Sequence, residues 1–240
     1  MTHYALIEGF VPSKKRDDGR RVWVLEPSLN PPAWTAIFLD AEIYLERVGA
    51  AAVLGRLQTA GGSTSLRSIF VSSEDTAARY TDYTCNADYA DFIDGDVLSW
   101  VIGKYPRTDQ SHVLLIGLSL SGLAAAHVAL TKPGHFRAAI CQSPSLWWNE
   151  ESFKQDLPSA TDSSSSFWIS VGRLETEKDV SHPPSGMFQE SSQIDACQRT
   201  TDALVSKGFV TNYRVFDGGH DPTCWAEDLV VALPWAIQQG

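Results

Sequence analysis

Short apolar runs without polar alternation recur along the chain, at residues 21–25, 35–39, 68–71, 112–116, 137–141, 167–171 and 212–216. Most are rich in β-branched or aromatic residues and of strand length. Between many of them, at 43–58, 89–103, 123–130, 192–207 and 224–238, apolar residues fall at the three- and four-residue spacing of helices. Non-alternating strands predict a sheet covered on both faces, and their alternation with helices predicts parallel pairing through right-handed crossovers. The expected fold class is therefore α/β, a mostly parallel doubly wound sheet with helices on both faces and an antiparallel entry before about Leu25. With no repeat or convincing linker, residues 1–240 are expected to form a single domain. A serine-rich stretch, 159–166, and a segment of mixed charges, prolines and glycine, 176–190, read as mobile surface loops. The second directly follows a strand, at a position where open α/β sheets bind ligands, and reads either as a lid or as a solvated loop without a role.

The longest apolar stretch, 112–130, approaches the length of a membrane span. Gly117, Ser119, Ser121 and Gly122 interrupt it where a strand-like run gives way to an Ala-rich one, so it reads as strand, tight turn and buried helix. Charge changes the picture in one respect. With 19 basic and 29 acidic residues the formal net charge is −10, and no basic stripe offsets it, which argues against nucleic acid or an anionic membrane as partner. No secretory signal is visible at the start, so a cytoplasmic location is the expectation. No metal or organic cofactor is expected, because no His/Cys/Asp/Glu cluster has ligand spacing and no glycine-rich phosphate loop opens a helix.

The interrupted stretch carries the candidate chemistry. A serine that attacks a carbonyl has to project from the sheet, and a strand–turn–helix elbow achieves this with small residues two positions either side. Ser119 has Gly117 before it and Ser121 after it, whereas Ser121 has Leu123 at that distance, so Ser119 is the candidate nucleophile. Ser121 stands where the motif usually has glycine. Of six histidines, His220 is the candidate base: it follows the run 212–216 within Asp217-Gly218-Gly219-His220-Asp221 and precedes the last helix.

Four separated segments then carry a family resemblance: 117–124 around the elbow, Gln142-Ser143-Pro144-Ser145-Leu146-Trp147-Trp148, the histidine loop from Gly218 to Trp225, and Cys85-Asn86-Ala87-Asp88-Tyr89. In these, in the same order, the chain resembles the enterochelin (enterobactin) esterases of the α/β-hydrolase superfamily, which cleave the trilactone backbone of catecholate siderophores. The resemblance runs from about residue 35 to the C-terminus. It implies an α/β-hydrolase fold, a serine carboxylic ester hydrolase acting through an acyl-enzyme, and a small-molecule ester as partner, an iron–catecholate siderophore among the candidates.

The orienting acid is expected after the run 167–171, where the resemblance points to Glu175, with Glu177, Asp179 or a serine–histidine dyad as alternatives. Of the two amides that would hold an oxyanion, one belongs to Leu120, which follows the nucleophile. The other is implied by Leu39-Asp40-Ala41-Glu42, which resembles the family's Leu-Asp-Gly-Glu and points to Glu42. Asp40 is expected to satisfy loop amides. Trp147 and Trp148 are candidates for stacking on catechol rings, with core packing as the competing role, and Arg79 and Arg173 for meeting an anionic ferric catecholate. Cys85 and Cys224 both lie in resembling segments and are expected near the histidine loop, with no disulfide established. Competing readings are a feruloyl or acetyl esterase, an S-formylglutathione hydrolase, an acyltransferase related to mycolyltransferases, or a non-catalytic catecholate-binding protein.

Overall fold

The computed structural model describes residues 5–15, 18–27, 32–59, 65–155, 157–160 and 165–239. Its strands are β1 (Leu6–Val11), β2 (Arg20–Leu25), β3 (Trp34–Leu39), β4 (Leu66–Val71), β5 (Val113–Leu118), β6 (Ala138–Gln142), β7 (Ser166–Gly172), β8 (Val180–His182), β9 (Met187–Gln189) and β10 (Thr211–Phe216). Eight of them form one sheet in the order β1-β2-β4-β3-β5-β6-β7-β10. β2 runs antiparallel to both β1 and β4, which is the expected antiparallel entry, and the remaining pairs are parallel. Every residue of β3 to β7 is buried, as their non-alternating sequences predict.

The helices are α1 (Ala50–Thr59), α2 (Thr76–Tyr83), α3 (Ala87–Asp91), α4 (Leu98–Lys104), α5 (Ser119–Thr131), the single turn α6 (Trp148–Glu151), α7 (Gln193–Ser206) and α8 (Pro222–Ile237). One apolar layer includes Leu123, Ala196 and Leu204 from α5 and α7 against Leu115 and Ile169 of the sheet; the other includes Leu54, Leu229 and Leu233 from α1 and α8 against Phe38 and Ile116. The doubly wound α/β arrangement is thus present, with the stretch 112–130 resolved into β5 and α5. Among the described residues no helix is long and apolar enough to cross a membrane.

Several elements differ from expectation. The helix predicted over 43–58 is two pieces, a π-helical Ile43–Val48 and α1, because Gly49 takes a left-handed φ of 67° between them. The helix predicted over 89–103 begins at Ala87 and passes through a π-helical Phe92–Val97 before α4. α2, which is not among the predicted helices, is short and polar on average, and its start is fixed by Asp75, whose carboxylate accepts the Ala78 N–H at 2.8 Å. The segment 176–190 contains a hairpin, β8 antiparallel to β9, with Ser181 opposite Phe188. In the serine-rich stretch, 161–164 lie outside the described residues, and Ser165 is buried with its hydroxyl donating to the Phe136 carbonyl at 2.6 Å.

Three adjacent strands, β3, β5 and β6, share one device at their carboxyl ends. The residue directly after each, Asp40, Ser119 and Ser143, is a non-glycine in the left-handed region, with φ of 64°, 52° and 43°. Such residues are uncommon and concentrate where surrounding structure holds them for a purpose.

Candidate active site

The elbow is built by close backbone approach. A Cβ at Gly117 would lie 2.0 Å from the Ser121 carbonyl oxygen, so this next-to-last position of β5 admits no side chain against the first turn of α5. A Cβ at Gly122 would meet Pro144 Cβ at 3.0 Å, which brings the segment after β6 against the same turn. Ser121 does not crowd the motif. Its hydroxyl is buried, accepts the Leu118 N–H at 3.0 Å and donates to the Leu118 carbonyl at 2.8 Å, closing the turn from inside. Ser119, partly exposed at the top of this turn, lines a cavity of about 480 Å³ together with Leu120, Glu175 and His220.

Glu175 and His220 come from neighbouring strand ends, after β7 and β10. The two loops are stitched together by backbone bonds from Arg173 N–H to Phe216 O and from Leu174 N–H to Gly218 O, both 2.9 Å. A Cβ at Gly172 would sit 2.6 Å from the Gly218 carbonyl, so the approach requires glycine there. Glu175, 4% exposed in its side chain, meets His220 Nδ1 through Oε2 at 2.7 Å. Its Oε1 accepts from the Ser143 hydroxyl at 2.6 Å and the Gly172 N–H at 2.7 Å. The Trp225 ring packs edge-on against His220, centroids 4.8 Å apart, and its Nε1–H donates to Ser143 Oγ at 3.1 Å. An imidazole held by a carboxylate at Nδ1 keeps Nε2 free for a hydroxyl.

On the other side of Ser119 lies the turn after β3. The Asp40 carbonyl accepts the N–H groups of Ile43 and Tyr44 at 3.0 Å each, so Ala41 and Glu42 stand in a first helical turn whose amides have no acceptor within the helix. Leu120 is in the same position at the start of α5. The Asp40 carboxylate, fully buried, is not spent on loop amides as expected. It takes the Arg79 guanidinium in a fork, from Nε at 2.9 and 3.0 Å and from Nη2 at 2.7 Å, because α2 lies over the turn and supplies a planar two-pronged donor. The Glu42 carboxylate is tied to the Ser72 hydroxyl and to Ser73, whose N–H donates at 3.1 Å, which fastens the turn to the end of β4. Ala41, where the resembling segment has glycine, is completely buried in a right-handed turn that accepts a methyl group; the left-handed residue is Asp40 instead.

A family model described as "Putative esterase" matches residues 26–236. The chain belongs to this family. It is 27% identical to an iron(III) enterobactin esterase of Dickeya dadantii over 240 residues, covering 94% of this chain and 53% of the relative. A siderophore triacetylfusarinine C esterase of Aspergillus fumigatus is 30% identical over 123 residues, covering 48% of this chain and 40% of that one. The chain spans about half the length of the first curated relatives it matches. The crystal structure of an enterobactin esterase from Shigella flexneri in the presence of enterobactin superposes with a TM-score of 0.82 at 23% identity, over 98% of this chain and 59% of the other, which shows a shared α/β-hydrolase fold.

Within this esterase-family cavity the expected substrate contacts divide. Arg79 and Trp147 line it; Trp148 lines an adjoining cavity of about 490 Å³ that shares Tyr80, Ser185 and Met187 with the first. Trp147 is buried, donates to Gln193 Oε1 at 2.5 Å and stacks on His182 with centroids 4.9 Å apart, so much of it is committed to packing. Arg173 does not line the cavity: it projects into solvent, 66% exposed, toward Asp217 at 3.8 Å, because the stitched loops turn its side chain outward. Glu177 lines the cavity at the surface, and Glu175 is the carboxylate that meets His220. Cys85 packs into one apolar layer and Cys224 into the other, on opposite faces of the sheet, and both are free thiols. Burial pushes the Cys85 thiol up to about 12. Missed by sequence reasoning were His182, held by Gln189 Oε1 at 3.0 Å, and the buried partners Ser143 and Gln193. The hairpin position of His182 carried no motif, and the one available signal was that 176–190 follows a strand end.

Proposed function

We propose that this chain is a serine carboxylic ester hydrolase with Ser119 as nucleophile, His220 as general base and Glu175 as the acid that orients it. The observation that carries the reading is the Glu175–His220 contact at 2.7 Å in the same cavity as a serine held at a left-handed strand end. His220 Nε2 takes the hydroxyl proton as Ser119 Oγ bonds the ester carbonyl carbon. The oxyanion is held by the amides of Leu120 and Glu42, whose first-turn positions leave their N–H groups free of helical acceptors. The carbon–oxygen bond to the alcohol then breaks, His220 returns the proton to the leaving oxygen, and water repeats the sequence to release the acid.

For substrate, the sequence similarity to curated enterobactin and salmochelin esterases supports a catecholate siderophore, with its ester backbone as the bond cleaved. One observation favours a second reading, an uncharged aryl ester. Arg79 is already neutralised by Asp40, Arg173 lies outside the cavity, and Glu177 adds a negative rim, so few charges are available to hold a polyanionic ferric complex. Hydrolysis of enterobactin, its ferric complex and a feruloyl ester, followed by mass spectrometry in wild type and Ser119→Ala, tests both levels. Release of linear dihydroxybenzoyl-serine dependent on Ser119 supports the siderophore reading. Wild-type rates in Ser119→Ala on every ester sink the mechanism.

A further inference from the structure

We infer that Ser143 is a positioning residue for Glu175, an inference that rests on the triad reading of Ser119, Glu175 and His220. Ser143 is fully buried directly after β6, and its φ of 43° is one that glycine adopts without cost and serine does not. It also precedes Pro144, and a residue before proline is driven toward extended backbone. A serine retained at so unfavourable a backbone position implies a use for its side chain.

The hydrogen bonds define that use, since their direction is fixed at both ends. The Trp225 indole can only donate, and it donates to Ser143 Oγ at 3.1 Å. An ionised carboxylate can only accept, so the Ser143 proton points to Glu175 Oε1, at 2.6 Å. With the Gly172 N–H on the same oxygen at 2.7 Å, Oε1 is filled and Oε2 is turned to His220. The backbone on which Ser143 sits is anchored independently: its N–H donates to the Ser170 carbonyl at 2.7 Å, and its own carbonyl accepts from the buried Gln193 amide. The chain of contacts runs Trp225, Ser143, Glu175, His220, with the two bonds at Ser143 directed toward Glu175 and the last member in the cavity.

The test is steady-state hydrolysis of an activated aryl ester by Ser143→Ala and Ser143→Gly, alone and combined with Glu175→Ala, with melting temperature measured for each. Glycine suits the backbone while removing the hydroxyl, so it keeps the test available if the alanine variant folds poorly. Both variants are expected to lose roughly tenfold to a hundredfold in kcat, the range for a hydrogen bond to a charged group, with KM within about twofold. In the Glu175→Ala background the same substitutions are expected to change kcat by less than about twofold, because Ser143 acts through that carboxylate. Wild-type kcat in both single variants overturns the inference, as does a loss that multiplies undiminished with that of Glu175→Ala. Hydrolysis undiminished in Ser119→Ala overturns the underlying triad reading instead, and is read out separately.

Discussion

The ends of β5 and β6 are neighbours in the sheet and use one backbone device for two opposite purposes. Each strand is followed at once by a serine with left-handed φ, Ser119 at 52° and Ser143 at 43°. At β5 the turn presents the hydroxyl to the cavity; at β6 the hydroxyl is fully buried and aimed beneath the cavity at Glu175. A strained strand end is thus a way of aiming a side chain that ordinary strand geometry would send to one face of the sheet, and the surroundings decide whether it is aimed at solvent or at another residue.

The largest expected effect tests whether the two serines differ in kind. Ser119→Ala is expected to lower kcat on an activated ester by at least roughly a thousandfold with the fold intact, measured by burst-free residual hydrolysis and an unchanged circular dichroism spectrum. Loss at Ser143 is bounded by one hydrogen bond to a charged group. Equal losses at the two positions would remove the distinction between a group that reacts and one that aims.

Only one of these turns was legible in the sequence, for a physical reason. An elbow that packs a helix start against its own strand demands Gly117 and a small residue at 121, and that local demand leaves a spaced motif. The turn at Ser143 is held by Trp225, Gln193 and Glu175, which are 82, 50 and 32 positions away, so no local pattern records it. The alternation of strands and helices was likewise readable, because burial on both faces is a property of each run by itself. The break at Gly49 and the Asp40–Arg79 fork were not, since a glycine inside a periodic stretch is compatible with a continuous helix and an ion pair between a strand-end turn and a helix depends on how α2 lies over that turn.

The next effect sharpens what the β5 end requires of its backbone. At Gly117 an added methyl would lie 2.0 Å from the Ser121 carbonyl, far inside contact distance and against backbone that cannot yield. Gly117→Ala is expected to destabilise by at least about 3 kcal/mol, the range of strain at a constrained backbone position, read as a fall in the denaturant midpoint or as insoluble protein. Normal stability in this variant would show that the elbow relaxes.

β3, the third member of the series, is aimed by an ion pair. Asp40→Ala leaves the Arg79 guanidinium, 19% exposed, without its carboxylate, and frees the turn that carries the Glu42 amide. A cost of roughly 2–4 kcal/mol in stability is expected, at or below the range for breaking a buried pair because Arg79 reaches water, together with lower kcat. Thermal melts and ester kinetics check the two halves. A stable, fully active variant would mean that the β3 turn holds itself and contributes no aiming.

The smallest effect concerns Ser121, where the elbow motif usually has glycine. If serine were a tolerated defect there, Ser121→Gly would relieve the turn and raise stability. The hydroxyl instead closes the turn through two bonds to Leu118, at 3.0 and 2.8 Å, in a fully buried setting. Removing it deletes those bonds and adds the entropy of a glycine within a helix, each worth about 1 kcal/mol. Ser121→Gly is therefore expected to destabilise by about 1–2 kcal/mol, a fall of a few degrees in melting temperature for a chain of this size, with kcat on an activated ester changed by less than the loss at Ser143. A higher melting temperature in the glycine variant would show that the β5 end carries strain its side chains do not offset, which would set it apart from β6 by cost as well as by direction.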